Sequence, residues 1–178
     1  MIREFQESDQ AAVSEMYRNG MKVYSEINND SLAACTSWFV NDKLKEGGDM
    51  NDIQKSFMDV PDRCFWVAVL NDKIVGCVGA YPSTKYDPKE YIELVRMSVS
   101  ADARNQGVGA KFIKTLNDWA KHKGYTKIYL STLNEMHLAV ALYTRNGFTL
   151  KDQEAYNVSA LVGFDCVMTG NHYVRDVV

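Results

Sequence analysis

The segment with the clearest chemical signal covers residues 99–110, V-S-A-D-A-R-N-Q-G-V-G-A. It places Arg104, Gly107 and Gly109 between a predicted strand and a predicted helix. Glycines at such a turn let backbone amides approach a ligand closely, and the positive end of the helix dipole attracts an anion. The pattern therefore predicts a site for a phosphate or pyrophosphate. The alternative is a turn that glycines merely make flexible before an amphipathic helix.

Two other phosphate-binding loops do not fit the chain. No segment matches G-x-x-x-x-G-K-[ST], and Phe112 stands where a G-x-G-x-x-G dinucleotide fingerprint needs its third glycine. That fingerprint also usually opens a βαβ unit, whereas this turn follows a predicted antiparallel meander. The sequence thus excludes both loops.

A second motif, A-x-x-L-Y-x-x-x-G-F at 139–148, lies about one helix downstream. The two motifs at this separation resemble the GNAT superfamily of acyl-CoA N-acyltransferases. Further segments resemble its camello-like branch, which includes the cysteine S-conjugate and aspartate N-acetyltransferases; they include D-M-N-D-I-Q-K-S-F at 49–57, C-F-W-V-A-V-L at 64–70 and E-L-V-R-M-S-V at 93–99. The similarity extends over nearly the whole chain.

The resemblance implies where acetyl-CoA, as co-substrate, would bind. The backbone of Met97, Ser98 and Val99 would polarise the thioester carbonyl and pair with the pantetheine arm. Many members have an Asn three residues before the helix alanine, where this chain has Met136, so that contact is either missing or supplied by Asn134. The pyrophosphate would lie on the turn formed by Arg104, Asn105, Gln106, Gly107, Val108, Gly109 and Ala110.

Amide formation from an acyl thioester needs a base for the protonated amine and benefits from an acid for the departing thiolate. Glu93, eleven residues before Arg104, matches the general-base glutamate of some members. Tyr143 would lie beside the coenzyme A sulfur as the acid. The alternatives are a solvated strand glutamate near Lys89 and a helix tyrosine that packs its ring and exposes its hydroxyl.

Arg96 is the candidate for binding the acceptor, because a guanidinium can hold a carboxylate through two hydrogen bonds. This role applies if the acceptor is an amino acid. The alternative is an ion pair with a protein carboxylate on a neighbouring strand or loop. Alternation would place Glu93 on the same side of the strand as Val95, Met97 and Val99, unless a bulge changes the phase.

The elements that must position these residues follow from hydrophobic periodicity and turn residues. We expect a helix capped by Asp9 whose first part ends at Gly20, then an irregular helical region over 21–60. The chain as a whole predicts an α/β fold, which the resemblance specifies as a GNAT-type mixed, mostly antiparallel twisted sheet of six to seven strands flanked by helices, in one domain over 1–178. The expected strands are 2–5, 64–70, 74–81, 91–99, 127–132, 148–156 and 164–173, and the later helices are 52–58, 105–123 and 135–145.

The composition of the chain excludes several classes of binding partner. The 178 residues carry a net charge of −3, which is not the basic balance of a nucleic-acid-binding protein. The four cysteines are widely spaced and lack a C-x-x-C pair, so we expect reduced, buried thiols and no metal site.

No long apolar segment or secretory signal is visible, so we expect a cytoplasmic protein without a membrane partner. The last strand, 164–173, could be a sheet edge through which a homodimer pairs.

The favoured function is transfer of an acetyl group from acetyl-CoA to the primary amine of a small molecule, with an amino acid such as aspartate or a cysteine S-conjugate as examples. Acetylation of protein lysines or N-termini is an alternative within this class. A catalytically silent acyl-CoA-binding module is the alternative from another class.

Overall fold

The computed structural model describes residues 1–26 and 29–178. The strands within these ranges are β1 (Ile2–Glu4), β2 (Cys64–Leu70), β3 (Lys73–Pro82), β4 (Tyr91–Val99), β5 (Lys127–Leu133), β6 (Thr149–Asn157) and β7 (Val167–Asp176). The helices are α1 (Gln10–Ser25), α2 (Asp30–Leu44), α3 (Val108–Lys123), α4 (His137–Arg145) and α5 (Ser159–Val162). Short helical turns cover Glu7–Asp9, Gln54–Met58 and Ala101–Ala103.

The seven strands form one sheet in the order β1-β2-β3-β4-β5-β7-β6. Only β4 and β5 pair in parallel; the other neighbours are antiparallel. This architecture confirms the expected mixed, mostly antiparallel sheet. The last strand is not an edge, because β7 pairs with β5 on one side and with β6 on the other. The expectation of a free dimer-forming edge at 164–173 was therefore wrong, and β6 occupies that edge.

The sheet opens between its two parallel strands. Pairing of β4 with β5 runs only from Tyr91 opposite Lys127 to Glu93 opposite Tyr129. Beyond this point β4 continues to pair with β3, as far as Val99. The β4 backbone groups that face β5 after Glu93 therefore lack a strand partner, although buried backbone groups need one.

A β-bulge at Arg96 changes the phase of β4. The two residues Arg96 and Met97 lie opposite the single residue Val78, and Arg96 adopts a left-handed φ of 54°. Val95 consequently packs with the hydrophobic cluster around α1, whereas Met97 and Val99 pack against the cluster around α3. The simple alternation from Glu93 to Val99 thus ends at the bulge.

Two hydrophobic clusters cover the faces of the sheet. One forms around α3 and includes Phe112, Leu116, Ile92 and Ile128. The other forms around α1 and includes Val13, Met16, Tyr17, Phe57 and Phe65. No helix within the described ranges combines the length and apolar character needed to cross a bilayer.

Helix α1 does not end at Gly20, as the sequence predicted, but runs to Ser25. Gly20 is buried, and a Cβ there would lie 2.2 Å from Ser98 Oγ. The glycine therefore serves close packing of α1 on β4 rather than helix termination. Asp9 also differs from expectation: its side chain makes no capping bond to α1 and instead accepts from Gln6 N at 2.9 Å and pairs with Arg3 at 2.6 Å.

The irregular region predicted over 21–60 is more ordered than expected. It contains the end of α1 and the whole of α2, followed by a π-helical turn at Gln54–Met58 in place of the predicted helix over 52–58. Residues 27 and 28 of this region lie outside the described residues.

We predict that Gly79→Ala destabilises the fold by about 1–3 kcal/mol, the usual cost of overpacking a filled core. A Cβ at Gly79 would lie 2.8 Å from one atom of the Phe57 ring and 3.0 Å from one of the Phe65 ring. Urea denaturation measures the change in the free energy of unfolding. The penalty should shrink in a Phe57→Leu background, and equal penalties in both backgrounds would contradict the explanation.

Candidate active site

A cleft of about 420 Å³ is enclosed by the second half of α1, the end of β4, the turn into α3, and α4. Of the residues that the sequence assigned to acetyl-CoA, those lining the cleft are Met97, Ser98, Val99, Arg104, Asn105, Gly107, Val108, Gly109 and Ala110. Tyr143 also lines it, while Gln106, Asn134, Glu93 and Arg96 are not among its lining residues. The motif at 99–110 and the motif at 139–148 thus meet at one cleft.

The turn before α3 has the backbone of an anion-binding site. Asn105 and Gly107 adopt left-handed φ values of 61° and 76°, and Gly107 precedes the first helical residue. The first turn of α3 contains no acidic side chain that would compete for its free N–H groups. A phosphate group is therefore a suitable ligand for this helix end. The side chain of Gln106 donates to Asp102 O at 2.8 Å and so turns back onto the loop.

The Arg104 guanidinium connects this turn to α1. Its Nη2 donates to Gly20 O at 2.8 Å and its Nε donates to Val99 O at 3.3 Å. The side chain therefore donates two hydrogen bonds to backbone carbonyls and holds α1, which forms one wall of the cleft, against the end of β4. The sequence did not reveal this wall, since the periodicity of α1 indicates a buried face but not what that face contacts.

Tyr143 is buried at the cleft, with its ring centroid 5.7 Å from that of Phe148. Burial raises the pKa of its hydroxyl well above the ordinary value, with a smaller contribution from nearby Tyr24. The hydroxyl therefore carries its proton at neutral pH, which is the state required of a proton donor.

Glu93 is buried, with 8% of its surface exposed, so the alternative of a solvated strand glutamate does not hold. Its Oε2 accepts from Thr84 N at 3.2 Å and from Thr84 Oγ1 at 3.1 Å. Burial raises the pKa of this carboxyl, while the bonds from Thr84 and the charge of Arg96 oppose the rise. A raised value moves the carboxyl toward the range useful to a base at neutral pH.

Arg96 forms the protein ion pair that was one of its two expected roles. Its Nη2 lies 2.8 Å from Asp49 Oδ2, its Nε donates to the same carboxylate, and the guanidinium lies 5.2 Å from the centroid of the Phe39 ring. An acceptor carboxylate would have to share or displace Asp49.

Asn134 points to β7 rather than to the cleft. Its backbone N donates to Thr169 O at 2.9 Å, and its Oδ1 accepts from Asn171 Nδ2 at 3.2 Å. Across the parts of the chain that the structure describes, no group of three or more His, Cys, Asp or Glu side chains is placed to hold a metal ion.

Sequence reasoning missed a polar cluster close to Glu93. Tyr129 lies directly opposite Glu93 on β5, and its hydroxyl lies 2.7 Å from His172 Nδ1. Both side chains are buried, and Lys85 approaches the other ring nitrogen of His172. A lone histidine in a strand gave no signal, because its partners come from three separate segments.

The curated proteins to which this chain is similar include several named as N-acetyltransferases. The chain is 43% identical over 100 residues to "Probable N-acetyltransferase camello" of Xenopus tropicalis, covering 56% of this chain and 45% of that protein. It is 36% identical over 115 residues to human "N-acetyltransferase 8B", covering 63% of this chain and 50% of that protein. The chain thus spans about half the length of the curated relatives it matches.

Solved structures share the fold. The PaiA N-acetyltransferase of Thermoplasma acidophilum, determined in complex with coenzyme A, superimposes with a TM-score of 0.72 at 19% identity over 95% of this chain and 96% of that one. A putative streptothricin acetyltransferase of Bacillus anthracis str. Ames, in complex with acetyl coenzyme A, gives a TM-score of 0.59 at 20% identity over 68% of this chain and 66% of that one.

The family model described as "Acetyltransferase (GNAT) family" matches residues 24–148, which is more than half of the chain. This match includes both sequence motifs, the end of β4, the turn into α3, and α4. It confirms the resemblance on which the expected fold and co-substrate depended. The chain belongs to the GNAT family of acetyltransferases.

Proposed function

We propose that this protein is an N-acetyltransferase that transfers the acetyl group of acetyl-CoA to the primary amine of a small molecule. The observation that carries the proposal is the cleft, where an anion-binding helix end, an unpaired stretch of β4 and a buried tyrosine hydroxyl meet. Residues 1–178 act as one domain in this proposal, since strands from both ends of the chain join one sheet.

The cleft offers suitable binding groups for two parts of acetyl-CoA, the pyrophosphate and the pantetheine arm. The pyrophosphate would accept N–H bonds from the turn at 104–110, and the amides of the pantetheine arm would pair with β4 where β5 has separated. The solved relatives that hold coenzyme A or acetyl coenzyme A support this assignment by their fold. The thioester would then reach Tyr143.

The reaction needs no covalent enzyme intermediate. The amine nitrogen attacks the thioester carbonyl carbon, so that the C–N bond forms and the C–S bond breaks. Glu93 takes the proton that the amine loses, and the Tyr143 hydroxyl donates a proton to the departing thiolate sulfur. The burial of both side chains supports these roles, and the presence of both disfavours a silent binding module.

The acceptor is proposed as a small amine, of which an amino acid such as aspartate and a cysteine S-conjugate are the examples that the sequence resemblance implies. The Arg96 guanidinium would bind a carboxylate of such an acceptor once Asp49 no longer accepts its hydrogen bonds. We place the reaction in the cytoplasm because all four cysteines carry free thiols.

We predict that thiol release from acetyl-CoA depends on one class of amine in a panel of aspartate, glutamate, other amino acids, S-substituted cysteines, polyamines and a lysine peptide. With that amine, Glu93→Gln should lower kcat/KM at neutral pH by roughly 10²–10⁴-fold, the usual contribution of a general base. The exposed Glu90→Gln, one residue before the same strand, is the control and should behave like the wild type. Wild-type activity of Glu93→Gln would show that Glu93 is not the general base.

We predict that Tyr143→Phe lowers kcat by roughly tenfold or more while acetyl-CoA affinity changes little, because the hydroxyl acts on the leaving sulfur rather than on ground-state binding. Steady-state kinetics and calorimetric titration with acetyl-CoA separate the two effects. Tyr125→Phe, which follows the C-terminal end of α3 and is not among the residues that line the cleft, is the control. A fall in affinity that equals the fall in kcat/KM would contradict an acid role.

We predict that Arg104→Ala lowers the free energy of unfolding by roughly 1–3 kcal/mol, because the carbonyls of Gly20 and Val99 lose their donors. Acetyl-CoA affinity should fall with it, since α1 forms one wall of the cleft. Arg104→Lys should restore little, because one ammonium cannot reproduce the planar fork. A loss of affinity at full stability would instead indicate direct contact with the pyrophosphate.

A further inference from the structure

The loop between β3 and β4, residues 83–90, approaches the Glu93 carboxylate. Within residues 1–26 and 29–178, the hydrogen bonds that this carboxylate accepts both come from Thr84 in the loop. Thr84 N lies 3.2 Å and Thr84 Oγ1 lies 3.1 Å from Glu93 Oε2. A backbone N–H and a hydroxyl of one residue thus converge on one oxygen. Such donors favour the ionised form of a carboxyl, and two of them restrict its rotation.

The second oxygen of the Glu93 carboxylate, Oε1, is left open by this arrangement. No donor among the residues that the structure describes lies within hydrogen-bond distance of it. Oε1 is also not among the unpartnered polar atoms that solvent cannot reach. Glu93 is the last residue of β4 that pairs with β5, so the residue lies where the sheet opens. Oε1 is therefore the oxygen available to accept a proton.

The buried residue Ser83 folds the 83–90 loop. Ser83 N donates to Tyr91 O at 2.9 Å, which joins the start of the loop to the first residue of β4. Ser83 Oγ accepts from Lys85 N at 3.2 Å and from Tyr86 N at 3.1 Å. A serine hydroxyl that accepts from the backbone in this way stabilises a tight turn. The turn contains Thr84.

Two side chains anchor the 83–90 loop to the strands beyond β5. Lys85 Nζ lies 3.2 Å from Glu154 Oε2 and 3.6 Å from Asp152 Oδ1, both on β6, and 3.2 Å from His172 Nε2 on β7. The Tyr86 hydroxyl donates to Asp152 Oδ2 at 3.0 Å. Neighbouring residues of the loop are thus held by the same pair of carboxylates.

Thr84 is exposed, so its own burial does not hold it beside Glu93. We propose that Thr84 is a positioning residue for Glu93: its N–H and its hydroxyl hold Oε2, and Oε1 is thereby presented to the acceptor amine. The anchors of Lys85 and Tyr86 on β6 keep the loop where these bonds can form. This inference rests on the proposed role of Glu93 as the base.

The titratable groups that face Glu93 from the sheet are the same in every variant compared below. Tyr81 and Tyr129 lie directly opposite Glu93 on β3 and β5. Burial raises the pKa of Tyr81 to about 12 and that of Tyr129 well above its ordinary value, so both phenols are neutral where a carboxyl titrates. Arg96, which pairs with Asp49, stays charged over the same range. A change in the Glu93 midpoint after a substitution in the loop therefore comes from the loop.

Titration of Glu93 tests the hydrogen bonds without an acceptor amine. Protein labelled with ¹³C at the glutamate side-chain carboxyl carbon is titrated by NMR, and the signal lost in Glu93→Gln identifies Glu93. Thr84→Val replaces the hydroxyl by a methyl group of similar size. Because a donor to the ionised form is lost, the midpoint should rise by about one pH unit. Thr84→Ser keeps a hydroxyl, and its midpoint should stay near that of the wild type.

Thr126→Val is the matched control. The Thr126 hydroxyl also donates to a glutamate, Glu90 Oε1 at 3.2 Å, but this contact is exposed and lies outside β4. The Glu93 midpoint should not move in this variant. An unchanged midpoint in Thr84→Val would overturn the proposal, and so would an equal rise in Thr126→Val.

The double variant Asp152→Ala/Glu154→Ala tests the anchors, because it removes the carboxylates that hold Lys85 and Tyr86. Both positions are exposed on β6, and a thermal melt checks that the variant is folded. Loss of two negative charges by itself lowers the midpoint of a nearby carboxyl, whereas loss of the Thr84 bonds raises it. A rise is expected, and a fall or an unchanged midpoint would overturn the anchoring role.

Kinetics separate positioning from a shift of the pKa alone. With the acceptor found in the amine panel, Thr84→Val should lower kcat by roughly tenfold even two pH units above its raised midpoint, where Glu93 is ionised. The KM for acetyl-CoA should not change, and Thr84→Ser should recover most of the lost kcat. A wild-type kcat of Thr84→Val at that pH would overturn the positioning role.

Failure of the proposed function is distinguishable from failure of this inference. Wild-type turnover of Glu93→Gln would show that Glu93 is not the base, while the NMR titration would still decide whether Thr84 holds its carboxylate. Loss of turnover in Glu93→Gln together with an unchanged midpoint in Thr84→Val would leave the base role in place and overturn the role of Thr84.

Discussion

The separation of β4 from β5 after Glu93 is the constraint on which the rest of the molecule depends. Parallel pairing covers three residues of each strand and then stops, although β4 continues as a strand to Val99. Backbone groups left in this way need a partner, and a ligand with peptide-like amides can supply it. The turn into α3 and the helix α4 lie around this opening, and both sequence motifs of the family line it.

The bulge at Arg96 divides β4 into two functional halves. Before it, Glu93 belongs to the face with Tyr129 and His172; after it, Met97 and Val99 pack toward α3 at the cleft. Maintaining a left-handed, non-glycine residue at this point requires surrounding contacts, and the Asp49 ion pair and the Phe39 ring provide them. Helix α1 then approaches β4 closely because Gly20 has no side chain.

Burial shifts the pKa of both proposed catalytic groups in the same direction, but the chemical consequence differs between them. It raises the pKa of Glu93 and of Tyr143, since the charged form of each is poorly solvated. For the carboxyl this increases its affinity for a proton, as a base requires. For the phenol it keeps the proton in place at neutral pH, as the proposed acid role requires. The donors around Glu93 limit the rise and keep the carboxylate available.

The sequence by itself determined the strands and the cleft motifs, because strand periodicity and the glycine turn are local properties. It indicated the strand over Tyr91–Val99, the turn with Gly107 and Gly109, and the helix with Tyr143. Tertiary structure alone decided that β7 inserts between β5 and β6, that Arg96 pairs with Asp49, and that Tyr129 meets His172. The two side-chain contacts join residues more than forty positions apart, and strand order and side-chain partners depend on long-range packing that no local pattern encodes.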